Sequence, residues 1–178
     1  MWRYDKEQKI FDINGIKIGG QPGENPPLLV ANMFQKGDTL LESRKEAKFN
    51  HSAAEARIKE LERISQETGI PAMVAMVANR AEEMQVYVDF FTSVTDMPFA
   101  IDIWVQKTRL ASARYLAEKG LQDRVLYNSI TPWDEDIPSQ VAELRELGIK
   151  HIVLQVFDTE DKGSTGRLKS LDSLMPML

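Results

Sequence analysis

Two polar side chains interrupt apolar runs at comparable places: Asp102 in Phe99-Ala100-Ile101-Asp102-Ile103, and Asn128 in Val125-Leu126-Tyr127-Asn128-Ser129. Neighbouring parallel strands lie about 5 Å apart, so if these runs are such strands, the carboxylate and the amide can meet one flat ligand together. A carboxylate accepts from ring N–H groups, and an amide both donates and accepts. The pair therefore suits the edge of a pterin or a similar heterocycle. A plainer role is equally open: Asp102 capping the helix that follows, and Asn128 satisfying loop backbone. Asn32, at the end of the run Leu28–Phe34, and Asp158, after Gln155-Val156-Phe157, hold similar places on two further runs.

Other chemistries are poorly served. The chain of 178 residues has no cysteine, which excludes thiolate nucleophiles, zinc–thiolate sites, iron–sulfur clusters and disulfides. Its two histidines, His51 at a helix start and His151 at a strand start, do not make a metal site. A formal net charge of −5 argues against non-specific nucleic-acid binding. No segment reads as a signal peptide or a membrane-inserted helix, so a cytoplasmic protein is expected. Trp104 and Trp133 follow two of the strand-like runs and should border the same rim, either as a ligand wall or as cover for the core. Arg80, Lys107 and Arg109 fall in that loop layer, where solvated surface charge is the ordinary role. Gly163-Ser164-Thr165-Gly166 precedes a helical pattern and is read as a flexible loop, and Leu40–Lys48 as a solvated face.

The elements that must position these groups alternate regularly. Lys9–Gly19 alternates apolar and polar residues about Asn14-Gly15, a dipeptide suited to a type I′ turn, and predicts a β-hairpin. A Gly/Pro-rich loop leads to Leu28–Phe34, expected to be a strand covered on both faces. Ser52-Ala53-Ala54-Glu55 reads as a capping box opening a helix that ends at Gly69. Ala72–Val77 is a second strand; Asn79 is placed to cap the next helix, and Phe99–Ile103 is a third strand. Thr108–Lys119 and about Asp134–Leu147 are helices, followed by strands Arg124–Ser129 and His151–Phe157. The junctions Thr68-Gly69-Ile70, Lys119-Gly120-Leu121 and Leu147-Gly148-Ile149 each place glycine where a helix needs a left-handed cap. Strands alternating with helices imply right-handed crossovers and a parallel α/β sheet. A (βα)8 barrel takes about 250 residues, so the chain is either part of a barrel or an open doubly wound sheet, the latter without its usual glycine fingerprint.

Three strings resolve this choice by resemblance: Gly19-Gly20-Gln21-Pro22-Gly23-Glu24, then Val94–Asp102, then Asp123–Ser129. In order and spacing they resemble the pterin-dependent methyltransferase barrels, the family of the H component of tetrahydromethanopterin S-methyltransferase and its tetrahydrofolate-using relatives. The resemblance implies an incomplete pterin-binding TIM barrel occupying residues 1–178 as one domain, with a hairpin and loop over 1–27 and βα units 1–5 over 28–178. It implies methyl transfer between a methylated corrinoid protein, which carries methylcobalamin, and N5 of tetrahydrofolate or tetrahydromethanopterin. Asp102 and Asn128 match the ring-binding acid and amide at the ends of the third and fourth barrel strands; Asp158 and Asn32 are further cofactor-binding candidates. Such chemistry needs no protein nucleophile, because both reacting centres belong to the cofactors. A competing expectation is a non-catalytic truncated barrel serving as an assembly module, since two unpaired sheet edges invite a partner chain. A homodimer is the expected assembly.

Overall fold

The computed structural model describes residues 2–178. Strands β1 (Ile10–Ile13) and β2 (Ile16–Gly19) form the expected antiparallel hairpin. Asn14 and Gly15 take the left-handed φ values of 50° and 85° that a type I′ turn demands. The Asn14 amide also donates to the Asp96 carbonyl at 2.8 Å, tying the hairpin to the loop before the central strand.

Five strands make the main sheet: β3 (Leu29–Met33), β6 (Ala72–Val77), β7 (Phe99–Asp102), β8 (Val125–Ile130) and β9 (His151–Leu154). All pair parallel in the order β3-β6-β7-β8-β9. Each new strand is added at the same edge, without the reversal that defines a doubly wound sheet. The sheet is therefore compatible with a segment of a barrel. Crossovers are made by α1 (His51–Thr68), α2 (Ala81–Val94), α3 (Gln106–Glu118) and α4 (Ile137–Glu146), and α5 (Ser164–Leu174) follows β9. No helix among the described residues is long and apolar enough to cross a membrane.

Alternation along the strands sorts side chains to two faces. Val74, Met76, Ile101 and Tyr127 pack with helix residues such as Ile58, Val88 and Leu116 in one large core. On the opposite face Met73, Ala75 and Ala100 gather with Leu28 and Leu126. The N-terminal hairpin lies beneath this second face, where Phe11, Ile13, Ile18, Leu126 and His151 line a groove of about 360 Å³.

The helix ends show where local chemistry decides and where it does not. Gly69, Gly120 and Gly148 all adopt positive φ, as the three repeated junctions require. The start of α1 departs from the expected capping box: Asn50, not Ser52, is the N-cap, and its side chain accepts from the Ala53 N–H at 2.9 Å. Asn79 does not cap α2 with its side chain; instead its N–H donates to the buried Glu83 carboxylate at 2.9 Å. The first core strand is not covered on both faces, since Leu29 and Val30 remain about half exposed on the β3 edge. Leu40–Lys48 is not a solvated face either. It contains a short hairpin, β4 (Leu41–Ser43) with β5 (Lys48–Phe49), and buries Leu40. Arg80 holds that hairpin by donating to the Arg44 and Lys45 carbonyls at 3.0 and 2.7 Å.

Asn50→Ala is expected to lower the unfolding free energy by about 1 kcal/mol, whereas Ser52→Ala changes it by less than about 0.5 kcal/mol. Urea unfolding of the two variants measures this difference. Burial, with help from Lys150, lowers the His151 pKa below its ordinary value near 6.5. Protonation then favours the unfolded chain, so this contribution to stability is lost as pH falls through about 6.5. The parent is expected to lose more stability than His151→Gln between pH 7.5 and pH 5.5, read from unfolding curves at each pH.

Candidate functional site

The register of the central strands builds the site. Asp102 pairs directly with Asn128, and the rung continues to Val77 on one side and Val153 on the other. One rung below, Ala75, Ala100 and Leu126 stand in line, and side chains two residues apart on a strand share a face. Asp102 and Asn128 therefore lie on the second, helix-free face, above a floor made largely of methyl groups. Small residues lie below this pair and valines beside it, at the carboxyl ends of the strands, where parallel sheets place their ligands.

Burial pushes the Asp102 carboxyl above the usual carboxylate value, and the nearby Arg109 guanidinium opposes that shift. No hydrogen bond with a described residue contributes to its state. At the tip of β8 it is Ser129, not Asn128, whose side chain is engaged, donating to Gln155 at 3.3 Å. An acid and an amide thus stand side by side with their polar ends uncommitted among the described residues. Together they can accept from and donate to one edge of a planar ring.

The remaining candidates are arranged differently. Asn32 pairs with Ala75 and so shares the same face, but it lies one rung lower and two strands from Asp102. In a flat sheet that separation is roughly 12 Å, close enough for the far part of a bicyclic ligand and too far for a shared contact. Asp158 lies beyond the end of β9, which stops at Leu154. Its carboxylate accepts the Glu160 and Asp161 N–H groups at 2.8 Å, which shapes the loop and holds its pKa below the ordinary value. Among the described residues no cluster of acids and histidines has the makings of a metal site. His51 stacks on Phe49 with ring centroids 4.2 Å apart.

Trp104 and Trp133 do meet at the rim, their rings 5.7 Å apart, and Phe157 packs edge-on to Trp133 at 6.1 Å. Trp104 is 73% exposed and Trp133 44%. Beneath them lies a network that sequence reasoning misses. Arg109, expected among the surface charges, is buried; it pairs with Asp134 at 2.5 Å and donates to the Ile103 and Trp104 carbonyls at 2.7 and 3.2 Å. The other Asp134 oxygen accepts from Thr131 at 2.7 Å. The guanidinium also sits 5.2 Å from the Tyr127 ring centroid, and the Tyr127 hydroxyl accepts from Gln140 at 2.9 Å. One signal for this exists in the sequence: Arg109, Ala113 and Leu116 share the buried stripe of α3.

Residues 6–177 match the family described as tetrahydromethanopterin S-methyltransferase MtrH subunit. The corresponding tetrahydromethanopterin S-methyltransferase component from Methanothermobacter thermautotrophicus is 37% identical over 168 residues, covering 94% of this chain and 54% of that protein. Its counterpart from Methanothermobacter marburgensis is 36% identical with the same coverage, and that from Methanopyrus kandleri is 34% identical over 93% of this chain and 51% of its own length. The chain thus spans about half the length of the curated relatives it matches. With nearly its whole length matched, the chain belongs to the MtrH family of tetrahydromethanopterin S-methyltransferase components.

Proposed function

We propose that this chain carries the pterin-binding half of a methyltransferase that moves a methyl group between a methylated corrinoid protein and N5 of tetrahydromethanopterin or tetrahydrofolate. The observation that carries the reading is the Asp102–Asn128 rung: two adjacent strand tips present an acid and an amide on one face above a small-residue floor. Membership of a family whose relatives are named tetrahydromethanopterin S-methyltransferase supplies the substrate class. Those relatives are each named as one subunit of that enzyme, which also supports a role as one component of a larger assembly.

The bond broken and the bond formed both lie on ligands, so the chain's residues act by placement rather than by covalent attack. Asp102 accepts from the amino and ring N–H groups of the pterin edge, and Asn128 donates to and accepts from the neighbouring ring atoms. Asn32 reaches the far side of the ring, and Asp158 shapes the loop at the pocket's margin. The methylcobalamin belongs to the partner protein, which meets the pocket from the open rim bearing Trp104 and Trp133. Residues 28–178 are the first five βα units of a TIM barrel, with 1–27 as its leading hairpin and loop, forming one cytoplasmic domain. The β3 edge, with Leu29 and Val30 exposed, supports an association with another chain, for which a homodimer is the simplest form.

Asp102→Ala and Asn128→Ala are expected to weaken tetrahydrofolate and tetrahydromethanopterin binding about tenfold or more each while the circular dichroism spectrum stays that of the parent. Calorimetric titration decides it, and unchanged affinity in both variants refutes the assignment. Because burial disfavours the ionised Asp102, its contribution to stability is lost as pH rises through the carboxylate range. Asp102→Asn is therefore expected to raise the unfolding free energy at pH 7 while weakening pterin binding, the trade-off shown by a residue kept for its ligand.

A further inference from the structure

The buried pair behind the rim joins the segments that follow the two strand tips. We infer that Arg109 is a positioning residue for this site, locking the turn after Asp102 to the turn after Asn128 so that the acid and the amide stay on one rung. The inference rests on the pterin-site reading above but depends on different contacts.

The contacts divide cleanly between the two strand tips. On the β7 side, Arg109 Nη1 donates to the carbonyls of Ile103 and Trp104, the two residues directly after Asp102. On the β8 side, Nη2 donates to Asp134, whose second oxygen is bound by Thr131, the residue following β8. The guanidinium plane lies near the Tyr127 ring, and Tyr127 is the residue immediately before Asn128. A second bridge runs parallel to the first: Gln106 accepts from the Glu135 N–H at 2.8 Å and donates to the Glu135 carbonyl at 2.6 Å. Each bridge runs from the first turn of α3 to the β8–α4 turn.

Stability alone is a poor reason for such a pair. Arg109 and Asp134 are 1% and 3% exposed at their side chains, and a buried ion pair is often no more stabilising than apolar residues of the same volume. The pair is also imperfect as a stabiliser, since Arg109 Nε is buried without a hydrogen-bond partner. What the pair does supply is geometry: a planar guanidinium fixes three acceptors in one plane, and those acceptors belong to the two turns that leave the rung. It also places a fixed cation close to Asp102, and that charge opposes the effect of burial on the carboxyl.

The test separates placement from folding. Arg109→Met leaves Asp134 buried and unpaired and can unfold the chain, so the informative protein is the double variant Arg109→Met/Asp134→Leu, in which both charges are removed together. Arg109→Lys keeps the charge but not the fork. Tetrahydrofolate is the probe for titration. Affinity is expected to fall on the order of tenfold in Arg109→Lys and further, toward a hundredfold, in the double variant, while the double variant unfolds at a urea concentration close to that of the parent. A second readout needs no ligand. In nuclear magnetic resonance spectra the Asn128 side-chain amide and the Trp104 and Trp133 indole signals should shift in the double variant, the Trp2 indole should not, and the Asp102 carboxyl should titrate at higher pH than in the parent. A folded double variant with parental Asn128, Trp104 and Trp133 signals and parental Asp102 titration overturns the inference, whatever its affinity. If those signals move and neither parent nor variant takes up tetrahydrofolate, the pterin reading fails while the coupling between the two strand tips stands.

Discussion

The pairing of β7 with β8 is the constraint on which the site depends. Parallel strands in register bring residues of equal height together, and here the shared height belongs to Asp102 and Asn128. A slip of one residue would turn either side chain into the helix-packed core, where an acid or an amide without partners is costly. The apolar residues below enforce the register, because Phe99, Ile101, Val125 and Tyr127 are buried against the helices on the other face. The hydrophobic core and the Asp102–Asn128 rung are thus two consequences of one alternation.

The surrounding structure treats the two ends of the sheet differently. Below, the hairpin β1–β2 supplies Phe11, Ile13 and Ile18 to an apolar groove at the strand N-termini. Above, polar contacts dominate. Asp38 accepts from Phe34 and Leu40 N–H groups, and Glu83 gathers Tyr87, Asn79 and Arg44, so the loops after β3 and β6 are pinned to each other. Phe34 holds a left-handed φ of 65°, unusual for a residue with a large side chain; its N–H donates to Asp38 and its carbonyl accepts from Arg44, and both bonds support it. The rim above the strand tips is therefore built from held loops.

How much of this is legible in the sequence follows the range of the forces involved. The hairpin at Asn14-Gly15 and the three glycine caps are readable because a single residue's conformational preference decides each. The strand tips bearing Asp102 and Asn128 are readable because a polar residue in an apolar run marks both its face and its height. Asn50 is missed as the cap of α1 because Ser52, two residues on, offers the same chemistry with a glutamate at the expected spacing. The β4–β5 hairpin is hidden because its strands are too short to show a period and are held by Arg80, 35 and 36 residues away. Arg109 looks like surface charge because its partner Asp134 lies 25 residues on, and local sequence says nothing about a pairing at that distance.

The tryptophans have a practical meaning of their own. The chain has three, and all are substantially exposed, Trp2 at 65%, Trp104 at 73% and Trp133 at 44%, while the large buried aromatic side chains are phenylalanine and tyrosine. Ultraviolet emission from this protein consequently originates in water-contacting indoles. Its wavelength would change little when the core melts, yet quenching at the strand tips would report directly on whatever settles over them.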